Sequence, residues 1–231
     1  MDYLIPPQPQ AVALVAGSDA VFPVHRIYCV GRNYVEHAQE MGGTGREAPF
    51  FFMKPADAVL AVSETAVGEM PYPPMTDNLH HEVELVLAIG TGGKDIPVAG
   101  ALSHIWGYAV GLDMTRRDLQ AESKAQGRPW CTAKGFDFSA PLGAIHPAAT
   151  VSDMDQARIS LEVNGKTRQN SDTGKLIWSL AEIIHCLSQL YTLQPGDLIF
   201  TGTPAGVAAV QRGDVLQARI TGLSELNIKL V

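Results

Sequence analysis

The stretch HHEVELVLAIG, residues 80–90, decides the fold of this chain. From Leu85 to Ile89 the side chains are apolar at both even and odd positions, which predicts a strand over residues 82–89 that is buried on both faces. Glu82 and Glu84 point to the same face of that strand, roughly 7 Å apart. Two like charges on a buried face repel each other and lose hydration, so they need a cation or a proton. A metal ion is therefore favoured over the alternative, two solvated glutamates on an edge strand.

A third candidate ligand is Asp113, which lies where the apolar run over residues 108–112 gives way to a predicted polar helix over residues 114–126. Capping of that helix is an equally good local interpretation, because Asp is a favoured N-cap residue. Three carboxylates without paired cysteines form an all-oxygen site. Such a site predicts Mg²⁺ or Mn²⁺, accepts Ca²⁺ and disfavours Zn²⁺.

A second constellation lies in a short predicted helix over residues 33–41, where His37 and Glu40 are three positions apart. The carboxylate can hold the imidazole in one tautomer, which predicts a water-activating dyad; a surface pair of no consequence is the alternative. Lys54 and Lys134 stand in apolar surroundings. They either extend to solvent or bind an anionic substrate.

The remaining pattern predicts many short strands and few helices. Strands are expected at residues 26–30, 50–53, 105–112, 198–201 and 215–220, and a hairpin at Asn164-Gly165. One amphipathic helix is expected over residues 175–191. Because strands and crossover helices do not alternate regularly, the fold class is a β-rich α+β fold rather than a doubly wound sheet. Residues 1–24 are interpreted as an extended lead-in and residues 25–231 as the catalytic domain.

Composition narrows the function. A chain of 231 residues with a net charge of -7 suits one domain and argues against nucleic-acid binding, which needs clustered Lys and Arg. The N-terminus lacks a signal-peptide pattern and no apolar run is long enough to span a membrane, so the expected location is the cytoplasm. The loop over residues 201–207 lacks the lysine of a phosphate-binding loop. Cys29, Cys131 and Cys186 are predicted to be packing residues.

Six segments together resemble the fumarylacetoacetate hydrolase family, in particular its small bacterial acylpyruvate hydrolases such as fumarylpyruvate hydrolase. In chain order they are GRNYVEHAQEM, FFMKP, HHEVELVLAIG, GYAVGLDMTRRDLQ, PWCTAKGFD and PGDLIFTGTPAGV. The resemblance implies a twisted, barrel-like β-roll, a homodimer, and Mg²⁺ or Mn²⁺ bound by three carboxylates. By motif position, the residues it implies are Glu82, Glu84 and Asp113 as metal ligands, His37 and Glu40 as the dyad, Lys134 as the assisting lysine, and Arg32, Tyr34, Gln120 and Thr203 as pocket residues, with Lys54 as a further candidate for substrate binding.

The resemblance also implies an activity. The expected reaction is hydrolysis of the C–C bond of a 2,4-dioxo acid, with fumarylpyruvate as the first candidate substrate, in aromatic catabolism through the gentisate pathway. Decarboxylation of oxaloacetate and isomerisation or decarboxylation of a dienoate are alternatives within the family. A non-catalytic metal-binding or ligand-binding protein is the alternative from another class, and the dyad argues against it because binding alone needs no base.

Overall fold

The computed structural model describes residues 3–35 and 46–231. The predicted dyad, His37 and Glu40, therefore lies outside the described residues, as does most of the helix predicted over residues 33–41. Short strands make up most of the regular structure. They are β1 (Val12–Leu14), β2 (Val21–Pro23), β3 (Ile27–Val30), β4 (Phe51–Lys54), β5 (Val59–Ala61), β6 (Val67–Met70), β7 (Leu79–His80), β8 (Val83–Ile89), β9 (Ile105–Leu112), β10 (Thr115–Arg116), β11 (Ala140–Leu142), β12 (His146–Pro147), β13 (Arg158–Val163), β14 (Lys166–Asp172), β15 (Leu198–Phe200), β16 (Ala209–Val210), β17 (Val215–Ile220) and β18 (Leu226–Leu230).

Helices are few in the described residues. The α-helices are α1 (Arg117–Ala125), α2 (Cys131–Lys134) and α3 (Leu180–Leu190), and short 3₁₀ helices cover Ala56–Ala58, Val98–His104, Ala148–Thr150 and Thr173–Lys175. None of these helices has both the length and the apolar content that crossing a membrane requires.

Two sheets form the body of the fold. The larger has the strand order β4-β3-β15-β8-β9-β11-β5, with β12 pairing to β9, and the smaller has the order β14-β13-β17-β18-β6. The pairs β3/β15, β5/β11 and β6/β18 are parallel and the remaining pairs are antiparallel. The larger sheet curls into a half-barrel. The predicted β-rich α+β fold with a barrel-like sheet is thus confirmed.

Strand β8 is buried along its whole length because each of its faces packs on a separate core. Leu85, Leu87 and Ile89 face the core that lies between the two sheets and beneath α3. Val86 and Ala88 face a second core, which the hairpin of β1 and β2 covers. Burial on both sides, predicted from the apolar run, follows from this sandwich.

Local sequence signals place the ends of several elements. Asn164 and Gly165 both have positive φ, 52° and 73°, as a type I′ turn requires, and they join β13 to β14 as predicted. Helix α3 begins later than its apolar pattern suggests, because Ser179 and Glu182 form a capping box. The polar helix predicted from residue 114 begins at Arg117, because Thr115 and Arg116 pair with β7.

Two further regions differ from expectation. Residues 12–23, within the predicted extended lead-in, form the hairpin of β1 and β2, whose Ala13 and Phe22 are buried in the second core. The prediction that all three cysteines are packing residues is wrong for Cys131, which is exposed, whereas Cys29 is buried and Cys186 is half-buried. Cys131 begins the one-turn helix α2, in which Ala133 and Lys134 are the buried residues.

Candidate metal centre

Antiparallel pairing of β8 with β9 brings the three predicted carboxylates together. Val83 pairs with Leu112, so Asp113 lies opposite Glu82, and the Asp113 amide donates to the Glu82 carbonyl at 2.9 Å. Glu84 is opposite Gly111 on the same face. The ligand oxygens of the three acids lie within 4.8 Å of one another, and all three residues are buried. Since α1 begins four residues after Asp113, the alternative that Asp113 caps this helix is wrong.

Three cationic side chains surround these acids. The Lys134 Nζ lies 2.8 Å from the Glu82 Oε2 and 2.6 Å from the Asp113 Oδ2. The Lys54 Nζ lies 2.8 Å from the Asp113 Oδ1, and the Arg117 Nη2 lies 2.5 Å from the Glu82 Oε1. Both lysines are buried, so the alternative in which they extend to solvent is wrong. Their aliphatic stems are covered by apolar neighbours while their ammonium groups meet the acids.

Lys54 and Lys134 are also linked to each other. The Lys54 Nζ donates to the Lys134 carbonyl at the end of α2, and to the Met114 carbonyl at 3.3 Å. Lys54 therefore joins the edge strand β4 to the one-turn helix that carries Lys134.

The electrostatics of the site favour a bound cation. Burial raises the pKa of Glu84 well above its ordinary value, and the nearby Asp113 and Glu82 raise it further. Burial alone would lower the pKa of Lys134, but Asp113 and Glu82 outweigh burial and raise it. A carboxyl group that resists ionisation beside two other acids is the arrangement that a divalent ion relieves. The buried all-oxygen donor set fits Mg²⁺ or Mn²⁺.

The loop after β15 closes the site from the other side. The Gly202 amide donates to the Glu84 Oε2 at 2.7 Å, and the Thr203 Oγ1 donates to the Val83 carbonyl at 2.9 Å. Gly202 has φ +104°, and a Cβ there would lie 2.7 Å from the Cβ of Asn33. Only glycine allows this approach. The Asn33 side chain in turn donates to the Thr201 carbonyl at 2.8 Å, which joins this loop to the segment after β3.

The predicted pocket residues divide into two groups. Gln120 is buried and accepts from the Arg117 Nη1 at 2.5 Å, so it contacts the site through Arg117. Tyr34 is buried, and its pKa is raised by burial and by the nearby Glu84. Arg32 lies farther out, with its guanidinium carbon 5.9 Å from the centre of the Phe50 ring. Gln120, Tyr34 and Thr203 thus belong to the surroundings of the carboxylates, whereas Arg32 belongs to an aromatic rim.

Sequence reasoning missed Arg117. The sequence offers the adjacent Arg116 and Arg117, and only the start of α1 decides which of them turns inward. Arg117 reaches Glu82, whereas the Arg116 guanidinium lies over the Phe136 ring at 4.5 Å and donates to the Thr132 carbonyl. A second missed residue is Gln169, which is fully buried behind β8. A lone glutamine in the polar strand KTRQNSD gives no hydrophobic signal.

The site lacks an activated nucleophile among the residues described around it. Cys29 is near enough to feel the charges of Asp113 and Lys54, but burial raises the pKa of its thiol well above the ordinary value. A neutral buried thiol is a poor nucleophile. The arrangement suits binding of a cation and of anionic oxygen atoms.

Comparisons with known proteins confirm the family resemblance. Residues 26–231 match the family model described as fumarylacetoacetate (FAA) hydrolase C-terminal. The crystal structure of fumarylpyruvate hydrolase from Pseudomonas aeruginosa, in complex with Mn²⁺ and pyruvate, is 53% identical and superposes with a TM-score of 0.98 over 100% of this chain and 99% of that chain.

Two curated relatives carry other activities in their names. The mitochondrial oxaloacetate tautomerase of Arabidopsis thaliana is 46% identical over 87% of this chain and 88% of its own length. The mitochondrial oxaloacetate decarboxylase of Dictyostelium discoideum is 38% identical over 86% of this chain and 89% of its own length. The family match and these similarities, which extend over nearly the whole chain, lead to one conclusion: the chain is an enzyme of the fumarylacetoacetate hydrolase family.

Proposed function

We propose that this enzyme is a metal-dependent hydrolase that cleaves the C–C bond of an acylpyruvate, with fumarylpyruvate as the substrate and fumarate and pyruvate as the products. The observation that carries the proposal is the buried set of three acids and three cations, in a chain 53% identical to a fumarylpyruvate hydrolase crystallised with Mn²⁺ and pyruvate. Pyruvate is one of the two proposed products. A relative that binds it over the same fold supports the assignment.

In this proposal Glu82, Glu84 and Asp113 hold Mg²⁺ or Mn²⁺. When bound, the ion supplies Lewis-acid stabilisation of negative charge on the substrate oxygens. The Lys134 Nζ and the Arg117 Nη2 lie 2.8 Å and 2.5 Å from the Glu82 carboxylate, so their positive charges face the place where an anionic substrate would bind. Lys134 stabilises the charge that develops on the reacting acyl oxygen.

His37 and Glu40 complete the proposed mechanism, and their roles stay predictions from the sequence. His37, oriented by Glu40, takes a proton from water, whose oxygen bonds to the acyl carbonyl carbon. The bond between that carbon and the pyruvate methylene then breaks. Its electron pair stays with the methylene carbon, which takes up a proton to give pyruvate, while the water oxygen remains on the released acid.

A cavity beside the site supports an unsaturated acyl group. It has a volume of about 460 Å³ and is lined by residues 50–53 and 128–131, including three phenylalanines and a tryptophan. The ring of Phe52, in its wall, lies 5.0 Å from the Lys134 Nζ. Aromatic walls suit a flat conjugated chain, and Arg128 offers a cation for a terminal carboxylate. Both features fit a fumaryl group better than an acetyl group.

Oxaloacetate is the second candidate substrate, because curated relatives up to 46% identical are named as an oxaloacetate tautomerase and an oxaloacetate decarboxylase. Oxaloacetate shares the 2-oxo acid end, which the same carboxylate-bound ion would hold. Its decarboxylation or tautomerisation requires no attacking water. The predicted water-activating dyad therefore distinguishes the two candidates.

The test is a spectrophotometric comparison of fumarylpyruvate, acetylpyruvate, fumarylacetoacetate and oxaloacetate, with Mn²⁺ or with EDTA and with products identified by NMR. We expect fumarylpyruvate to give the highest kcat/KM, with formation of fumarate and pyruvate that EDTA abolishes. His37→Ala should abolish hydrolysis, and Lys229→Ala, on an exposed part of β18, is the matched control. Faster turnover of oxaloacetate than of every acylpyruvate would refute the hydrolase assignment.

Two expectations about the protein in solution accompany the proposal. A homodimer is expected from the family resemblance, and light scattering after size-exclusion chromatography measures the mass directly. Cytoplasmic location stays a prediction from the sequence, as do the domain boundaries at residues 24 and 25.

A further inference from the structure

A fully buried glutamine joins the two sheets directly behind the carboxylates. Gln169 lies on β14 of the smaller sheet. Its Oε1 accepts from the Val83 amide at 3.1 Å and from the His81 Nδ1 at 2.9 Å. Its Nε2 donates to the Thr203 Oγ1 at 2.7 Å and to the Pro204 carbonyl at 2.8 Å. The side-chain amide thus has two donors and two acceptors satisfied.

The direction of each hydrogen bond is fixed by chemistry. A backbone amide can only donate and a carbonyl can only accept, so Val83 and Pro204 set which end of the Gln169 amide is oxygen and which is nitrogen. The His81 Nδ1 must then carry a proton. The Thr203 hydroxyl accepts a hydrogen bond from Gln169 and donates one to the Val83 carbonyl. Only one assignment of donors and acceptors satisfies every group in this network, and a fully satisfied buried network holds its side chains rigidly.

A β-bulge turns Gln169 inward. The two-residue turn pairs Val163 with Lys166. If this register continued unchanged along the two strands, Arg168 would lie opposite Leu161, whose side chain faces inward. The register instead shifts after Leu161, which pairs with Gln169. Bulges beside active sites commonly redirect a side chain in this way. Gly206 packs against the bulge, since a Cβ there would lie 2.1 Å from the Arg168 carbonyl oxygen.

The network reaches the proposed metal ligands from two directions. Val83 lies between Glu82 and Glu84 in sequence, so its amide and carbonyl fix the backbone that carries both. Thr203 follows Gly202, whose amide donates to the Glu84 Oε2 at 2.7 Å. Gln169 therefore sets both the strand that presents Glu84 and the loop that orients its carboxylate.

We infer that Gln169 is a positioning residue for the metal centre, which holds Glu84 in its ligating orientation through Val83 and through the Thr203 loop. The inference rests on the proposed metal site at the three carboxylates. Residues that orient metal ligands from behind typically change metal affinity by about 10-fold to 100-fold when they are replaced. The effect should appear in metal binding itself, before any substrate is added.

The experiment measures the Kd for Mn²⁺ by electron paramagnetic resonance of the free ion, on full-length protein. We expect Gln169→Met, which keeps the length of the side chain but removes all four hydrogen bonds, to weaken binding by at least about 10-fold. Gln217→Met is the matched control, because Gln217 lies on β17 of the same sheet and donates to the Glu225 carboxylate at 3.2 Å, away from the site. Its Kd should equal that of the wild type.

A second pair of variants decides the question where Gln169→Met folds poorly. Thr203→Val removes the hydroxyl that links Gln169 to Val83, whereas Thr203→Ser keeps it, so weakened binding should appear in the first and be restored in the second. The double variant Gln169→Met, Thr203→Val should bind no more weakly than Gln169→Met alone, because both act through one network.

The outcomes separate the inference from the proposed function. A Kd for Gln169→Met within twofold of the wild type, or equal losses in Thr203→Val and Thr203→Ser, would overturn the positioning role while leaving the metal site intact. Fully additive losses in the double variant would also overturn it. Failure of the wild type itself to bind Mn²⁺ would overturn the metal site, and the positioning role with it.

Discussion

Buried carboxylates lie at both ends of strand β15, a single aspartate at its start and a group of three acids at its other end, and their partners differ. At the start of the strand Asp197 stands alone, and its two oxygens accept from the Arg26 guanidinium, the His25 Nδ1 and the Gln194 amide at 2.8–3.0 Å. At the other end, the loop at Gly202 meets a group of three acids that share two lysines and an arginine.

This difference in partners indicates that Asp197 has a structural role, whereas the group of three acids is suited to binding a ligand. The oxygens of Asp197 are saturated by partners that the fold itself supplies, so this acid fastens β15 to the chain before β3. In the carboxylate group, the pKa of Glu84 is raised well above its ordinary value by burial and by its acidic neighbours. A buried acid that the protein leaves poorly compensated marks the end of the strand where a ligand belongs.

The largest expected effect comes from removing one charge at each end. Asp113→Asn should lower the proposed hydrolytic activity by about 1,000-fold, because a proposed metal ligand and a partner of two lysines are lost together. Asp197→Asn should leave kcat/KM unchanged but lower the free energy of unfolding by about 2 kcal/mol, because the buried side chain loses its charge-assisted hydrogen bonds with Arg26 and the Gln194 amide. Assays and urea denaturation of both variants measure the contrast. Similar losses of activity and of stability in both variants would contradict it.

A smaller effect is expected from Lys134→Met. In EDTA the variant should lose about 3 kcal/mol of unfolding free energy, because Glu82 and Asp113 lose the ammonium that lies between them. Saturating Mn²⁺ should recover most of this loss, since the ion takes over the compensation of charge. Thermal unfolding with EDTA and with Mn²⁺ measures both values. Lys175→Met, on an exposed 3₁₀ turn, is the control that should respond to Mn²⁺ as the wild type does.

The raised pKa of Glu84 predicts a dependence of stability on pH. Above about pH 4.5 the unfolded chain has lost the Glu84 proton that the folded, metal-free protein retains. The free energy of unfolding should therefore fall as the pH rises from 4.5 toward the folded pKa, by at most about 1.4 kcal/mol per pH unit. Urea denaturation in EDTA at pH 5.5, 6.5 and 7.5 measures the slope. Glu84→Gln should flatten it, and a slope that persists in that variant would assign it to another group.

The smallest effect is expected at the rim of the Asp197 cluster. The His25 side chain is 50% exposed and supplies one of several partners of Asp197. His25→Ala should therefore cost only about 0.5 kcal/mol, because Arg26 and the Gln194 amide still satisfy the carboxylate. Thermal unfolding of this variant beside Asp197→Asn measures the difference. A loss as large as that of Asp197→Asn would show that the cluster depends on the imidazole.

Much of the fold and the acids of the site could be predicted from the sequence, because local patterns decide them. The doubly apolar run of β8 predicts a strand with a core on each side, and alternation puts Glu82 and Glu84 on one face. The Asn164-Gly165 turn follows from its backbone requirement. The local sequence did not decide whether Asp113 lies beside the two glutamates or caps a helix. The antiparallel register of β8 and β9 places it beside them.

The missed features depend on contacts between distant segments. The rotation at the start of α1 selects Arg117 over Arg116, and that rotation is set by the pairing of Thr115 with His80. Gln169 faces inward because of a bulge that no apolar pattern announces. His37 and Glu40 lie outside the described residues, so their roles stay predictions.

The charges around the candidate metal centre also affect how a charged substrate approaches it. The three carboxylates and the side chains of Lys54, Lys134 and Arg117 sum to zero when all six are ionised. A divalent cation bound among them would leave a local charge of +2 in a chain whose overall net charge is -7. With the cation bound, the site would attract an anionic substrate that the rest of the negatively charged protein repels. The association rate of a doubly charged anion should therefore fall as ionic strength rises.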